Sequence, residues 1–295
     1  MHIDAHHHLW DLDAVHYPWL MARGEVRFFG DPEPIQRNYL LDEYRSDAAQ
    51  QGFAGSVHIQ VGAEDGWEEA RWVDALSRST PDWPLLQVAF CDLTSPQREA
   101  QLDRLQSLPS LRGIRQIVGR APGEDANSGT QALLQSDAFL EGLHSLAARD
   151  LSFDLQLIPA LLPDAARLLA RVPELRVALC HAGSPHDRSQ RGIARWAESL
   201  QALAALPGVV CKLSGLRMFD HQWQVEDFAP LVETCLDQFG AERCLFGSNF
   251  PVDSLSSSYA TLVDAYRQLI PANDQSEVFG GTAYRFYRFG LHSAS

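Results

Sequence analysis

Two histidines near the start of the chain, His6 and His8, have a spacing that suits paired metal ligands. They follow the short apolar run 2–5, whose alternating pattern predicts a strand. Side chains two residues apart in an extended backbone point to the same side, so both imidazoles can converge on one point. A zinc-type cation needs its first ligands in this arrangement. An expression-tag remnant is the alternative, but Asp4 precedes the histidines and Trp10 follows them, unlike an unbroken tag.

The rest of the chain alternates apolar runs with amphipathic stretches, which predicts parallel strands joined by helices. After the first strand, further strands are predicted at 54–61, 84–91, 111–118, 151–158, 175–181, 209–214 and 244–250. Helices are predicted at 67–79, 96–107, 137–149, 163–171, 191–206, 225–239 and 259–269. Eight such units in 295 residues favour a (β/α)8 TIM-like barrel. A doubly wound open sheet is the alternative, but no Gly-rich phosphate loop follows the first strand.

Nothing in the sequence divides the chain, so we expect one domain over residues 1–295. Within it, the Pro- and aromatic-rich segment 11–44 is interpreted as an active-site loop, and 274–290 as a C-terminal helix. Trp10, Trp19 and Phe28-Phe29 suit either a subunit contact in a homo-oligomer or burial under the barrel loops.

Composition narrows the class of protein. The net charge of −14 argues against a nucleic-acid or anionic-membrane surface. No apolar stretch has the length of a transmembrane helix, and the first residues lack the pattern of a signal peptide. Five scattered cysteines in apolar runs are typical of reduced core residues, which predicts a cytoplasmic protein. The partner that we expect is a small-molecule substrate.

In a barrel the chemistry is expected at the carboxyl ends of the strands. The polar residues at those predicted ends are His6, His8, His58, Gln60, Asp92, Arg115, Asp154, Gln156, His181, Lys212, Ser214 and Asn249. His181 precedes Ala182-Gly183, where glycine permits a tight turn, so it is interpreted as a ligand or base and not merely a loop contact. His58 lies mid-strand and is interpreted as a satisfied core histidine.

Several of these predicted strand ends carry side chains that are suited to binding a substrate. Arg115 offers a planar fork that binds a carboxylate or a lactone oxygen in bidentate fashion. Gln60 and Gln156 are candidates for substrate hydrogen bonds. Lys212 is the only lysine in the chain, and either a substrate contact or a buried ion pair within the barrel explains it.

The motifs, taken in order, resemble the amidohydrolase superfamily, and most closely its amidohydrolase-related (amidohydrolase 2) branch of sugar-lactone and dicarboxylate-lactone hydrolases. The motifs are His6-x-His8, Gly113-Ile114-Arg115, His181-Ala182-Gly183 and Phe246-Gly247-Ser248-Asn249-Phe250-Pro251-Val252. Tyr17-Pro18-Trp19, Lys212-Leu213-Ser214-Gly215-Leu216 and Met218-Phe219-Asp220-His221-x-Trp223 are also similar to that branch. The resemblance spans nearly the whole chain.

The resemblance implies a distorted barrel that hydrolyses a lactone or a related carbonyl compound. It also implies that His6, His8 and His181 bind one divalent cation, most naturally zinc, or stabilise the transition state. The aspartate that activates water in the superfamily corresponds to Asn249 in this chain. An amide offers only hydrogen bonds, so a substitute base is needed.

Asp253 and His221 are the nearest candidates for that base, although Asp253 is equally suited to cap the following helix. Superfamily members with two metals bridge them through a lysine on the fourth strand, where this chain has Arg115. The resemblance therefore implies one metal or, as in some lactonases of the branch, none. Both readings stay open.

Three functions follow. The first is a lactonase that opens a small sugar-acid or related lactone by attack of water on the carbonyl carbon. The second is a zinc-dependent decarboxylase of an aromatic acid, against which the asparagine at position 249 counts. The third is a non-catalytic barrel that binds a small molecule and has lost its water-activating carboxylate.

Overall fold

Eight parallel strands form one nearly closed barrel, which confirms the predicted (β/α)8 fold. The structure, a computed structural model, describes residues 1–124 and 129–290. The strands are β1 His2–His7, β2 Phe53–Ile59, β3 Leu85–Ala89, β4 Leu111–Ile114, β5 Ser152–Leu155, β6 Val177–Leu179, β7 Val209–Leu213 and β8 Cys244–Phe246. Each strand pairs with the next in sequence. Beyond β8 the chain returns to β1 through hydrogen bonds from Asn249 N–H to the His6 carbonyl and from His8 N–H to the Phe250 carbonyl, both 2.7 Å.

Helices separate consecutive strands, as the alternating pattern predicts, and two more helices follow β8. They are α1 Pro18–Met21, α2 Leu41–Gln50, α3 Gly66–Ser79, α4 Arg98–Gln106, α5 Asp137–Ala148, α6 Leu162–Leu169, α7 Gln190–Ala204, α8 Val225–Phe239, α9 Tyr259–Leu269 and α10 Thr282–Phe286. Short 3-10 turns occupy Glu33–Ile35, Thr130–Gln135, Pro159–Leu161, Cys180–Gly183, Ala241–Arg243 and Val252–Leu255. No helix in these described ranges is long and apolar enough to cross a membrane.

The C-terminal element differs from the single helix predicted at 274–290. A π-helix, Glu277–Gly281, precedes the five-residue α10, and residues 291–295 lie outside the described part. Glycine is required at position 280, because a Cβ there would meet the Met1 carbonyl oxygen at 2.0 Å. The tail therefore packs tightly against the start of β1. Its apolar residues join a cluster with strand side chains, including Ile3, Val57 and Val88, and close the barrel at the end opposite the predicted site.

An irregular register in β1 decides where the opening histidines point. The pairing with β2 shifts between Asp4 and His7, as in a β-bulge. The Asp4 carboxylate accepts hydrogen bonds from the hydroxyls of Tyr44 on α2 and Tyr259 on α9, at 3.0 and 3.1 Å, so it faces the helices. His7 also faces outward and stacks on the Tyr44 ring at 3.9 Å. His6 and His8 face the barrel interior.

The buried residues include the five cysteines and His58, for which the sequence makes predictions. All five cysteines are buried and free, as expected of reduced core residues. His58 is buried, accepts the Leu9 N–H at 3.1 Å and lies 3.3 Å from Glu69, which fits the satisfied core histidine predicted for it.

Most strands are shorter at their carboxyl ends than predicted, because the apolar runs continue into rim turns.

Candidate active site

A cavity of about 680 Å³ opens at the carboxyl ends of the strands. Polar groups from the strand ends line one part of it: His8, Gln60, Arg115, Gln116, Gln156, His181 and Asn249. Aromatic residues from the segment after β1 line another part: Trp10, Trp19, Phe28 and Phe29. The cavity therefore joins an apolar wall to a polar floor, which is typical of small-molecule sites.

His8 presents a lone pair to this cavity. Its Nδ1 lies 2.7 Å from the Ile59 carbonyl oxygen, which can only accept, so Nδ1 carries the proton. Burial, with Arg115 nearby, lowers the pKa of His8 well below its usual value. The ring is therefore neutral, and Nε2 is an acceptor of a proton or a ligand of a cation.

Asn249 faces His8 across 3.3 Å through its Oδ1. Its Nδ2 donates to the Asp253 carboxylate at 2.8 Å, which turns the amide oxygen towards His8. Burial raises the pKa of Asp253 to about 7. Asp253 does not cap α9, since Ser258 fills that role by accepting the Thr261 N–H. It lies behind Asn249, outside the cavity lining, and holds the amide in place.

His181 lies on a strained turn at the end of β6. His181 and Ala182 have positive φ values of 55° and 49°, so the strand ends at Leu179 and not at 181 as predicted. The His181 Nδ1 lies 3.0 Å from the Ser214 hydroxyl. Burial, with Arg115 and Lys212 nearby, lowers the pKa of His181 to about 3, so this imidazole is also neutral.

His6 lies beneath these two rings and does not line the cavity. Its ring centroid is 4.6 Å from that of His181 and 5.1 Å from that of His8. The Nε2 atom is buried and has no hydrogen-bond partner, whereas Nδ1 faces the Lys212 ammonium at 3.5 Å. Burial, with Lys212 nearby, lowers the pKa of His6 well below its usual value.

Arg115 is fixed in the cavity by its neighbours. One nitrogen of its guanidinium donates to the Gln156 side-chain oxygen at 3.0 Å, and another donates to the Gln60 carbonyl oxygen. The Nε atom and the Gln60 side-chain oxygen have no partner. Gln60, Gln156 and Arg115 are therefore brought together in the cavity, with hydrogen-bonding capacity left for a ligand.

Besides His6 and Asp253, two further predicted residues, Lys212 and His221, do not line the cavity. Lys212 is fully buried and pairs with Asp154 at 2.5 Å, so the structure favours the ion pair over the substrate contact that we also considered for it. His221 is exposed, lines a separate shallow depression and packs against Gly30, so it is not among the residues that surround the cavity floor. Met218, earlier in the same loop, does line the cavity.

The sequence reasoning missed a polar group at the cavity mouth. Arg27, in the segment after β1, pairs with Glu124 at 2.6 Å and lies over the Trp19 ring at 5.5 Å. Arg120 also lines the cavity. Both arginines come from irregular segments, where no periodic pattern marks a direction. Only the aromatic composition of 11–44 indicated that this segment covers a site.

The donors around the floor are suited in part to a divalent cation. Within residues 1–124 and 129–290 no three His, Cys, Asp or Glu side chains have the arrangement of a metal site. His8 Nε2 and Asn249 Oδ1, however, are two acceptors facing each other, and a cation between them would relieve their repulsion. His181 adds a second imidazole whose Nε2 makes no protein hydrogen bond. His8, His181 and Asn249 are therefore candidates for holding such a cation at the cavity floor.

The comparisons with known proteins agree with this architecture. A family model described as "Amidohydrolase" matches residues 3–289. The chain belongs to the amidohydrolase family. It is 32% identical over 292 residues to an uncharacterized protein, y4mH, of Sinorhizobium fredii, with 97% of this chain and 98% of that protein covered. The membership confirms the resemblance and supports a hydrolase.

Other amidohydrolases carry more specific names. The chain is 30% identical over 302 residues to an L-fucono-1,5-lactonase of Burkholderia multivorans, covering 97% of this chain and 96% of that protein. A crystal structure of an amidohydrolase from Burkholderia multivorans with bound zinc superposes with a TM-score of 0.82 at 28% identity. That superposition covers 98% of this chain and 99% of the other.

Proposed function

We propose that this amidohydrolase is a lactonase that opens a small sugar-acid lactone. The observation that carries the proposal is the convergence of neutral imidazoles and the Arg115 guanidinium at the floor of one cavity. These are groups that activate water and stabilise an oxyanion. The lactonase name of the Burkholderia multivorans relative supports the same reaction.

In the proposed reaction, His8 acts as the general base. A water molecule beside Nε2 loses a proton to His8 as its oxygen attacks the lactone carbonyl carbon. The negative charge that develops on the carbonyl oxygen is stabilised by Arg115. When the tetrahedral intermediate collapses, the bond to the ring oxygen breaks and His8 returns the proton to that oxygen. Lactone and water thus give one hydroxy acid, and His8 is restored.

The two walls of the cavity suit a sugar ring. Trp19 and Phe29 offer aromatic faces to the apolar C–H side of a six-membered ring. Gln60 and Gln156 on the strand side offer amide groups to its hydroxyls. A lactone bearing several hydroxyls uses both walls at once, which a purely apolar ester does not.

A divalent metal ion is suggested for this chain by its family and by the zinc bound to the similar Burkholderia amidohydrolase. We propose His8, His181 and Asn249 as the residues that would hold it. When bound, such a cation would polarise the carbonyl and acidify water. In that state His8 is occupied, and Asp253 keeps the Asn249 amide oxygen directed at the site.

The test is a panel of 1,4- and 1,5-lactones of sugar acids, scored by acid release, with and without a chelator. We expect turnover of at least one sugar lactone and little activity on unsubstituted lactones. Well-folded protein that opens no lactone contradicts the proposal. If activity is lost after chelation and restored by zinc, the metal-bound protein is the active form. If activity is unchanged, the side chains alone carry out catalysis.

A further inference from the structure

The single lysine of the chain makes three polar contacts inside the barrel. Lys212 Nζ donates to the Asp154 carboxylate at 2.5 Å and to the Ala5 carbonyl oxygen at 2.8 Å. Its third contact is with the Nδ1 atom of His6, at 3.5 Å. The Tyr287 hydroxyl donates to the same Asp154 carboxylate, at 3.0 Å from both oxygens. All of these groups are buried, so water does not screen their charges.

An ammonium group has three donors and no acceptor. Two of the Lys212 donors are used by oxygen atoms, and the third is directed at an imidazole nitrogen that accepts only if it carries no proton. A proton on Nδ1 would instead point its positive end at a buried cation. An imidazole ring keeps at least one proton, so the proton must then be on Nε2.

We propose that Lys212 is a positioning residue that fixes His6 as the tautomer with a proton on Nε2. The buried Nε2 atom, which has no partner in the protein, is then a hydrogen-bond donor beneath the His8 and His181 rings. The same lysine that we considered as a substrate contact acts through His6 instead. His8 has the opposite tautomer, because its Nδ1 proton is held by the Ile59 carbonyl.

This assignment changes the chemistry of the opening histidine pair. A protonated Nε2 cannot ligate a metal ion, so His6 leaves the predicted ligand set of His6, His8 and His181. Its Nε2 is a hydrogen-bond donor packed against the His8 and His181 rings, which line the cavity, so we expect the tautomer to affect catalysis through them. The tautomer is independent of the substrate; only the effect on lactone hydrolysis rests on the proposed function.

The tautomer is measured directly by proton–nitrogen NMR of protein labelled with ¹⁵N-histidine, without metal or substrate. Comparison with a His6→Gln variant assigns the His6 signals. We expect Nδ1 of His6 to be unprotonated and Nε2 to be protonated in the wild type. Selective ¹⁵N-lysine labelling gives one side-chain signal, because Lys212 is the only lysine, and it should report an ammonium group.

The key variant is the double substitution Asp154→Asn with Lys212→Met. It removes both charges together, so no unpaired buried charge is left to unfold the barrel, and the amide introduced at position 154 still accepts from Tyr287. We expect the Nδ1-protonated form of His6 to appear in its spectrum and kcat on a sugar lactone to fall about 100-fold. Tyr287→Phe is the matched control, since it removes a hydrogen bond from Asp154 but leaves the ammonium beside His6.

Four outcomes separate the hypotheses. Protonation of Nδ1 in the wild type overturns the inference, and so does a spectrum of the double variant in which His6 is unchanged. The expected tautomer in a protein that opens no lactone supports the role of Lys212 and contradicts the lactonase proposal alone. An altered His6 in Tyr287→Phe would mean that packing, and not the lysine charge, selects the tautomer.

Discussion

His6 and His8 leave the same strand two residues apart, yet their surroundings give them different chemistry. His8 lines the cavity, and its Nδ1 donates to a carbonyl oxygen, so its outer nitrogen accepts. His6 lies one layer deeper and faces an ammonium, so its outer nitrogen donates. Equal spacing therefore gives the two imidazoles a common direction, whereas the groups behind each ring decide whether its outer nitrogen donates or accepts a hydrogen bond.

Loss of His8 is expected to have the largest effect. In His8→Gln no group at that position takes a proton from water, and we expect kcat on the best lactone to fall by about 1,000-fold. His7→Phe is the control on the same strand. It keeps a ring against Tyr44 and removes two nitrogens that have no hydrogen-bond partner, so its kcat should stay near that of the wild type.

Loss of Arg115 should have the next largest effect. Arg115→Met removes the guanidinium that we assign to the developing oxyanion, and kcat should fall about 100-fold. The KM should change less, because the charge develops mainly in the transition state. Steady-state assays measure both constants. A change in KM with an unaltered kcat would assign Arg115 to ground-state binding instead.

The buried histidines also predict how stability depends on pH. Four of them are buried with a lowered pKa: His6, His7, His8 and His181. The unfolded chain therefore binds more protons than the folded one below pH 6.5, and the free energy of unfolding falls as the pH falls. Asp253 and Asp4 oppose this, because their raised pKa values make the folded state bind protons there.

Near pH 5.5 the unfolded chain binds roughly two more protons than the folded chain. The free energy of unfolding therefore changes by about 3 kcal/mol per pH unit. Urea unfolding of the metal-free protein at pH 5.0, 5.5, 6.0 and 6.5 measures this slope. A flat profile would contradict neutral burial of the four rings. His7→Phe should reduce the slope by about one proton, because it removes one of them.

Arg27 at the cavity mouth is expected to have the smallest effect. Its ion pair with Glu124 is partly exposed and contributes little to stability. Arg27→Ala should leave kcat unchanged and raise KM by about threefold, through loosening of the aromatic wall formed with Trp19. Glu124→Gln is the matched control for the ion pair. An equal rise in KM in both variants would assign the effect to the pair and not to the stacking.

The fold could be predicted because every barrel unit repeats the same pattern. Apolar runs at a regular spacing indicate strands, and the bounds of α8 and α9 agree with the sequence prediction to the residue. The tail could not be predicted in the same way. Its helical periodicity gives no sign of the contact between Gly280 and Met1, which joins the two ends of the described chain.

The site could be predicted at its strand ends but not in its hydrogen-bond network. His8, His181, Arg115 and Asn249 meet because parallel strands end at one rim. The contact between Asn249 and Asp253 depends on the turn after β8, and the contact between Lys212 and His6 depends on the bulge in β1. Residue types alone predict neither this turn nor this bulge.

The central claim is that His8 activates water for the opening of a lactone ring in this cavity. The most direct test is the rate of acid release from a panel of sugar lactones by the wild type, His8→Gln and His7→Phe under identical conditions. We expect turnover by the wild type and His7→Phe, and about 1,000-fold slower turnover by His8→Gln. Equal rates for the two variants, or no turnover by the folded wild type, would contradict it.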